Sequence, residues 1–112
     1  MSHDVGAQMR KGVVEYCVLA LLAREPMYGW QLNESLTQAG LIGSIGTLYP
    51  LLARLRENEW VTTFDQPSPS GPARKYYRLS PSGQVQLAQF RTYWTPFAAS
   101  VTDLLGEDRD HD

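Results

Sequence analysis

One cysteine, Cys17, and two histidines, His3 and His111, are all that the 112 residues offer of the side chains that most often bind zinc or form nucleophile–base pairs. A single cysteine makes no internal disulfide, and Cys17 lies in an apolar run of helical length, where an inert buried thiol is expected. Both histidines fall near the chain's ends, so there is no Cys/His cluster for a metal and no well-placed base for a Ser/His or Cys/His pair. Long apolar runs are missing too: the longest, residues 16–23 with a partial extension back to 13, falls short of the roughly 18 residues that span a bilayer. It also lacks the cleavage pattern of a signal peptide. Enzymatic chemistry, metal, cofactor and membrane all lose their usual parts, and a soluble cytoplasmic protein is expected.

Strong net charge is absent as well. The formal charge of −2 is unevenly spread: residues 1–80 carry eight Lys or Arg against seven Asp or Glu, and residues 81–112 two against five. Arg54, Arg56, Arg74, Lys75 and Arg78 fall within 25 positions. One basic patch on a weakly acidic chain suits nucleic-acid binding, but a solvated basic face is also commonplace. The 43% hydrophobic and 20% charged composition is that of an ordinary globular chain, long enough for one domain.

Val13, Val14, Cys17, Val18, Leu21 and Leu22 recur at helical spacing, with Tyr16 and Leu19 on much of the remaining circumference. Such a helix must be covered from more than one side. Pro26 ends it, because proline lacks the helical donor and biases the residue before it out of the helical region. A second helix is expected over 28–39, with Trp30, Leu32 and Leu36 as apolar contacts and Gly40 placed for a left-handed cap. Trp30 and Trp60, each at an element edge beside apolar neighbours, read as core residues.

After a short turn at 41–43, Ser44 is the candidate N-cap of a third helix ending near Asn58. This start puts Pro50 in the second turn at the cost of one hydrogen bond; a start at Thr47 would hide it in the first. The earlier start is preferred. On the wheel, Ile45, Leu48, Leu51, Leu52 and Leu55 form one arc. Gly46, Thr47, Pro50, Ala53 and Arg54 form the opposite arc, with Tyr49 and Arg56 at its edge.

Residues 60–65 and 74–79 read as two strands, with Tyr77 and Leu79 facing the core and Tyr76 and Arg78 facing away. Between them, 66–73 holds three of the seven prolines and is expected as a loop too long and proline-rich for a tight turn. Ser80 followed by Pro81 signals a last helix running to Leu105 before Gly106. In it Leu87, Phe90, Trp94, Phe97, Val101 and Leu104 are spaced three, four, three, four and three apart, a coiled-coil seam that wants a partner helix. Pro96 should kink that helix, or break it with Thr95 as a new cap.

This order of elements predicts a mainly α fold with a small β-wing: a winged helix-turn-helix over 10–80, then a long C-terminal dimerisation helix over 81–106, with flexible tails at 1–9 and 107–112. In such a design the third helix offers its outer face to the DNA major groove. Gly46 and Ala53 allow close approach, Arg54 reaches phosphate or guanine edges, and Thr47 and Tyr49 donate to phosphate oxygens.

Three blocks also resemble the PadR family of bacterial transcriptional regulators. They are Met27-Tyr28-Gly29, then Gly46-Thr47-Leu48-Tyr49-Pro50 followed by Leu55, and Arg74-Lys75-Tyr76-Tyr77-Arg78-Leu79-Ser80 with Gly83. The resemblance covers residues 10–83 and is closest to the short subfamily with one C-terminal helix. It implies a homodimeric repressor on double-stranded DNA with an inverted-repeat operator, with first and last helices at the interface and release by a small molecule. It assigns Thr47, Tyr49 and Pro50 to the start of the recognition helix, Arg54 to a position often basic, and Arg74 and Lys75 to the base of the wing.

Some similar members bind flat aromatic compounds at the dimer centre through a tryptophan of the last helix. That makes Trp94 a candidate for an aromatic or phenolic effector; it reads equally as an ordinary seam residue. Cys17 and Val18 are candidates to line the same cavity, with core packing the plainer role for each. The sequence departs from the family at Asn58-Glu59-Trp60, where a glycine turn is common, and in the prolines from Pro67 to Pro72. A winged-helix module that binds only protein is the alternative function; for an enzyme no acid, base and nucleophile constellation exists.

Overall fold

A computed structural model describes residues 5–106. His3, His111 and the expected tail segments 1–4 and 107–112 lie outside the described residues. The elements run α1 (Val5–Arg10), α2 (Val14–Arg24), β1 (Met27–Tyr28), α3 (Gly29–Gln38), α4 (Ile45–Glu57), β2 (Val61–Ser68), β3 (Gly71–Leu79) and α5 (Pro81–Leu105). The fold is the expected winged helix with a long last helix. Helix α1 is an addition: all but its last residue, Arg10, lie in the stretch 1–9 that reads as a tail.

The core is one cluster. Val14, Val18, Leu19 and Leu22 of α2 meet Leu32 and Leu36 of α3, and Leu48, Leu51, Leu52 and Leu55 of α4; Val61, Tyr77, Leu79 and Leu87 close it from the sheet and α5. Helix α2 is apolar nearly all round because α3, β3 and α5 all pack on it. Trp30 is a correction: it is 54% exposed. It sits about 200° around the helix from Leu32 and about 240° from Leu36, so the face that buries the leucines turns it outward. Trp60 is partly buried against the core.

Helix ends follow local chemistry. At the end of α3, Gly40 takes φ +74° and the Leu41 N–H reaches the Leu36 carbonyl at 2.9 Å, the six-residue closure that a left-handed residue permits. The exit of α4 repeats it with Glu59 at φ +63° and the Trp60 N–H on the Leu55 carbonyl at 3.0 Å. The turn that the family commonly builds with glycine is therefore kept here with a side chain, at a cost of about 1 kcal/mol. Helix α4 starts directly after Ser44 and runs through Pro50, as the earlier start requires.

The antiparallel sheet has the order β1-β3-β2, one strand more than the sequence suggests: Met27 pairs with Tyr77 and Tyr28 with Tyr76. The expected long loop at 66–73 is overturned. The strands extend until Ser68 faces Gly71 across a turn at residues 69–70, with an irregular register between Gln66 and Ser68. The prolines permit this because none sits where the ladder needs a donor. Pro67 falls in the irregularity of an edge strand, Pro69 in the turn, and Pro72 near a tip that the two-residue β1 never reaches.

At the start of α5 the Ser80 hydroxyl accepts from the Gly83 N–H at 3.0 Å, and Pro81 opens the helix. Ser80 Oγ and Ser82 Oγ also donate to the Glu59 carbonyl at 2.7 and 2.8 Å. The helix continues unbroken through Pro96 to Gly106 at φ +76°, so no restart occurs at Thr95. Gly83 is packed so closely that an added Cβ would lie 2.1 Å from the Trp60 carbonyl oxygen and 2.7 Å from Leu79 Cδ1. Gly83→Ala should therefore lower stability by about 1–3 kcal/mol or more, read as a shift of the urea midpoint; an unchanged midpoint would mean the junction yields freely.

Candidate nucleic-acid interface

Burial of Leu48, Leu51, Leu52 and Leu55 fixes the rotation of α4 and leaves Gly46, Thr47, Tyr49, Pro50, Ala53, Arg54 and Arg56 exposed. The outward arc of the wheel is the outward face of the protein. Tyr49 leans toward the start of α3, where a Cβ on Gly29 would stand 3.3 Å from the tyrosine oxygen. The first and second family-like blocks thus meet in space. Beneath this face, burial pushes the Tyr77 phenol above its ordinary range, with nearby Arg56 pulling it partly back.

Arg54 is held across the helix-turn-helix. Its Nε lies 2.5 Å from Glu15 Oε2 on α2, with the two side chains 55% and 17% exposed. A pair this open contributes no more than about 1 kcal/mol, so its main effect is on direction. Guanidinium carries five N–H donors, and the Nη groups remain for an outside acceptor. Sequence reasoning missed Glu15 because the partners are 39 residues apart, and nothing local marks the contact.

Alternation along β3 separates the basic pair Arg74 and Lys75 onto opposite faces. Arg74 instead shares a row with Tyr76 and Arg78. Its guanidinium lies 4.5 Å from the Tyr28 ring centroid, and that of Arg78 4.3 Å from the Phe64 centroid. Tyr76 stands between those rings, edge-on to Tyr28 at 5.3 Å and stacked on Phe64 at 5.5 Å. Partly exposed cation–π contacts of this kind are worth about 0.5–1 kcal/mol each and restrict where the arginines point. Arg78 stands in this aromatic row as much as Arg74 does, and the period of two along the strand is the signal that finds it. Lys75 is exposed opposite Asp65.

A second face runs along α5. Leu87 is buried within its own chain and offers nothing to a partner, and Phe90 is half-buried. Beyond it Trp94 is 41% exposed, Phe97 60% and Leu104 87%, with Val101 also open. Rings connect this face to the interior: Trp60 to Tyr16 at 6.2 Å, Tyr16 stacked on Phe90 at 4.4 Å, then Phe90 to Trp94 at 5.5 Å and Trp94 to Phe97 at 6.4 Å. Cys17 is half-buried, and desolvation pushes its thiol up, as suits an inert residue. Val18 is fully buried, which corrects its candidacy for a cavity beside Trp94. Among the described residues there is no group of three His, Cys, Asp or Glu that would hold a metal, and no helix long and apolar enough to cross a membrane.

The model of the transcriptional regulator PadR-like family matches residues 18–89. The chain is 32% identical over 94 residues to the transcriptional regulator Rv3488 of Mycobacterium tuberculosis, covering 84% of this chain and 87% of that one. It resembles the crystal structure of a PadR-like transcriptional regulator from Bacillus cereus at 36% identity and a TM-score of 0.80, covering 88% and 96% of the two chains. A PadR family regulator from Eggerthella lenta is similar at 33% identity and a TM-score of 0.77, covering 90% and 88%.

Because Glu15 pairs with Arg54 on the outer face of α4 through an open contact, Glu15→Gln should leave stability within about 1 kcal/mol. It should also strengthen retention on heparin or generic duplex DNA, so that elution needs more salt. Elution at the wild-type salt concentration would show that the Arg54 charge does not face the polyanion.

Proposed function

The chain belongs to the PadR-like family of transcriptional regulators, and we propose that it acts as a homodimeric repressor on an inverted-repeat operator. Helix α4 enters the major groove with Thr47, Tyr49, Pro50 and Arg54, while Arg74 and Lys75 at the wing, joined by Arg78, hold the flanking backbone. Residues 10–80 do the binding and 81–106 join the subunits. The observation that carries this reading is the outer face of α4: every leucine is inside, and small, hydroxylated and basic residues are outside. Two such helices about 34 Å apart would read half-sites one DNA turn apart. Repression rests on the resemblance of the signature blocks to the family's repressors, and such a protein works in the cytoplasm beside its DNA. A module that binds only protein has no need of this basic face and is not favoured.

Dimerisation is supported by Trp94, Phe97, Val101 and Leu104, a continuous apolar row standing in solvent on one helix. Covering large side chains of this kind is worth roughly 1.5–3 kcal/mol each when burial is complete, enough to offset the entropy of association. Phe97 and Leu104 are exposed, so their replacement spares the core. Phe97→Asp with Leu104→Asp should give a folded monomer by sedimentation that no longer shifts inverted-repeat duplexes from the DNA flanking the gene. A variant that stays dimeric and still binds would exclude this row as the interface.

A planar aromatic or phenolic effector is part of the same proposal. Trp94 is its platform, at the outer part of the ring series from Trp60 to Phe97, and half-buried Cys17 lies on α2, which packs against α5. An inducer must prefer a subunit arrangement that misplaces the two recognition helices, since equal affinity for both arrangements shifts nothing. Titration of wild type and Trp94→Ala with planar dyes, followed by tryptophan fluorescence and operator release, should show binding and release in the wild type and a weakened response in the variant. Equal responses would leave Trp94 as packing alone.

A further inference from the structure

We infer that the groove between the α1–α2 turn and α4 seats a backbone phosphodiester of bound DNA, with Arg10 and Lys11 supplying its charge. The groove is about 400 Å³ in volume, and Arg10, Lys11, Glu15, Thr47, Pro50 and Arg54 line it. None of the DNA-contacting residues named above comes from the turn. Its shape comes from a tight reversal: the Val13 N–H donates to the Arg10 carbonyl at 3.0 Å, and Gly12 takes φ +82°, a conformation that other residues resist. That reversal brings Arg10 and Lys11 alongside α4.

Charge identifies the occupant. Three cations meet one carboxylate in the groove, and Glu15 is already engaged by Arg54. Among the described residues neither Arg10 nor Lys11 is ion-paired, so the groove presents two uncompensated positive charges to an anion. Thr47, Pro50 and Arg54 lie three and then four residues apart along one line of α4, and they belong both to the groove wall and to the outward arc. A helix lying in the roughly 12 Å wide major groove is bordered by phosphate backbones. An anion site sharing a wall with the DNA-facing helix is therefore placed to meet one of them. Such a contact adds affinity and fixes position without reading sequence.

The inference rests on the DNA-binding reading, and the test separates the two. Operator affinity is measured against salt for the wild type, for Arg10→Ala with Lys11→Ala, and for the charge-preserving swap Arg10→Lys with Lys11→Arg, each first checked for a native thermal melt. The double alanine variant should show a log–log salt slope shallower by about 0.9 for each lost contact, whereas the swap should keep the wild-type slope. Phosphate ethylation should block the wild type at a backbone position where the double alanine variant is insensitive. A wild type that binds no duplex would overturn the DNA-binding reading and this seat with it. Wild-type binding with an unchanged slope in the alanine variant, or a slope lost equally in the swap, would overturn the seat alone.

Discussion

The carbonyls of Glu59 and Trp60 are the fixed point from which the two faces of this protein take their directions. Glu59 accepts from the hydroxyls of Ser80 and Ser82, and Trp60 accepts from the Ser80 N–H at 3.0 Å. Ser80 is itself buried and caps α5. Four things are thereby tied at one place: the end of α4, the start of β2, the end of β3 and the departure of α5. The bonds of buried Ser80 are costly to break without replacement, which restrains the angle between α4 and α5. Gly83 completes the joint because only a hydrogen in place of a side chain lets the first turn of α5 rest on the Trp60 carbonyl.

From that joint α5 leaves the core. Leu87 is its last fully committed residue, and the molecule reaches 58 Å along its longest axis. A helix of 25 residues is about 37 Å long, far more than the small core covers. Its outer half keeps apolar side chains in solvent, where an isolated chain gains nothing from them. The ring series from Trp60 through Tyr16 and Phe90 to Trp94 makes this face continuous with the interior. Through those rings the exposed half of α5 is in packing contact with α2 and with the exit of α4.

Arg54, Arg74 and Arg78 are each restrained by a neighbour within the chain. Arg54 is drawn by Glu15, and Arg74 and Arg78 lie over Tyr28 and Phe64. Long side chains lose up to about 2 kcal/mol of rotamer entropy when immobilised, and part of that loss is taken on folding here. The carboxylate and the rings act differently. Glu15 takes up one of the donors of Arg54, whereas an aromatic face leaves the guanidinium edge free to donate elsewhere.

Much of this was legible in the chain itself. The leucine arc of α4, the caps at Ser80, Gly40 and Gly106, and the inward side of β3 all depend on residues a few positions apart, where backbone geometry alone decides who faces whom. The same reasoning fails at Trp30, whose apolar side chain suggests the interior although its wheel position opposes Leu32 and Leu36. It fails again at residues 66–73, where the prolines suggest a loop too long for a tight turn, although the ladder that forms there never needs their missing donors. The strand β1, the Glu15–Arg54 pair, the burial of Leu87 and Val18, and the meeting of Arg10 with α4 were decided only by the fold. They join residues far apart in sequence through the packing of whole helices and strands, and no local pattern of side chains encodes a distance that exists only once the core has closed.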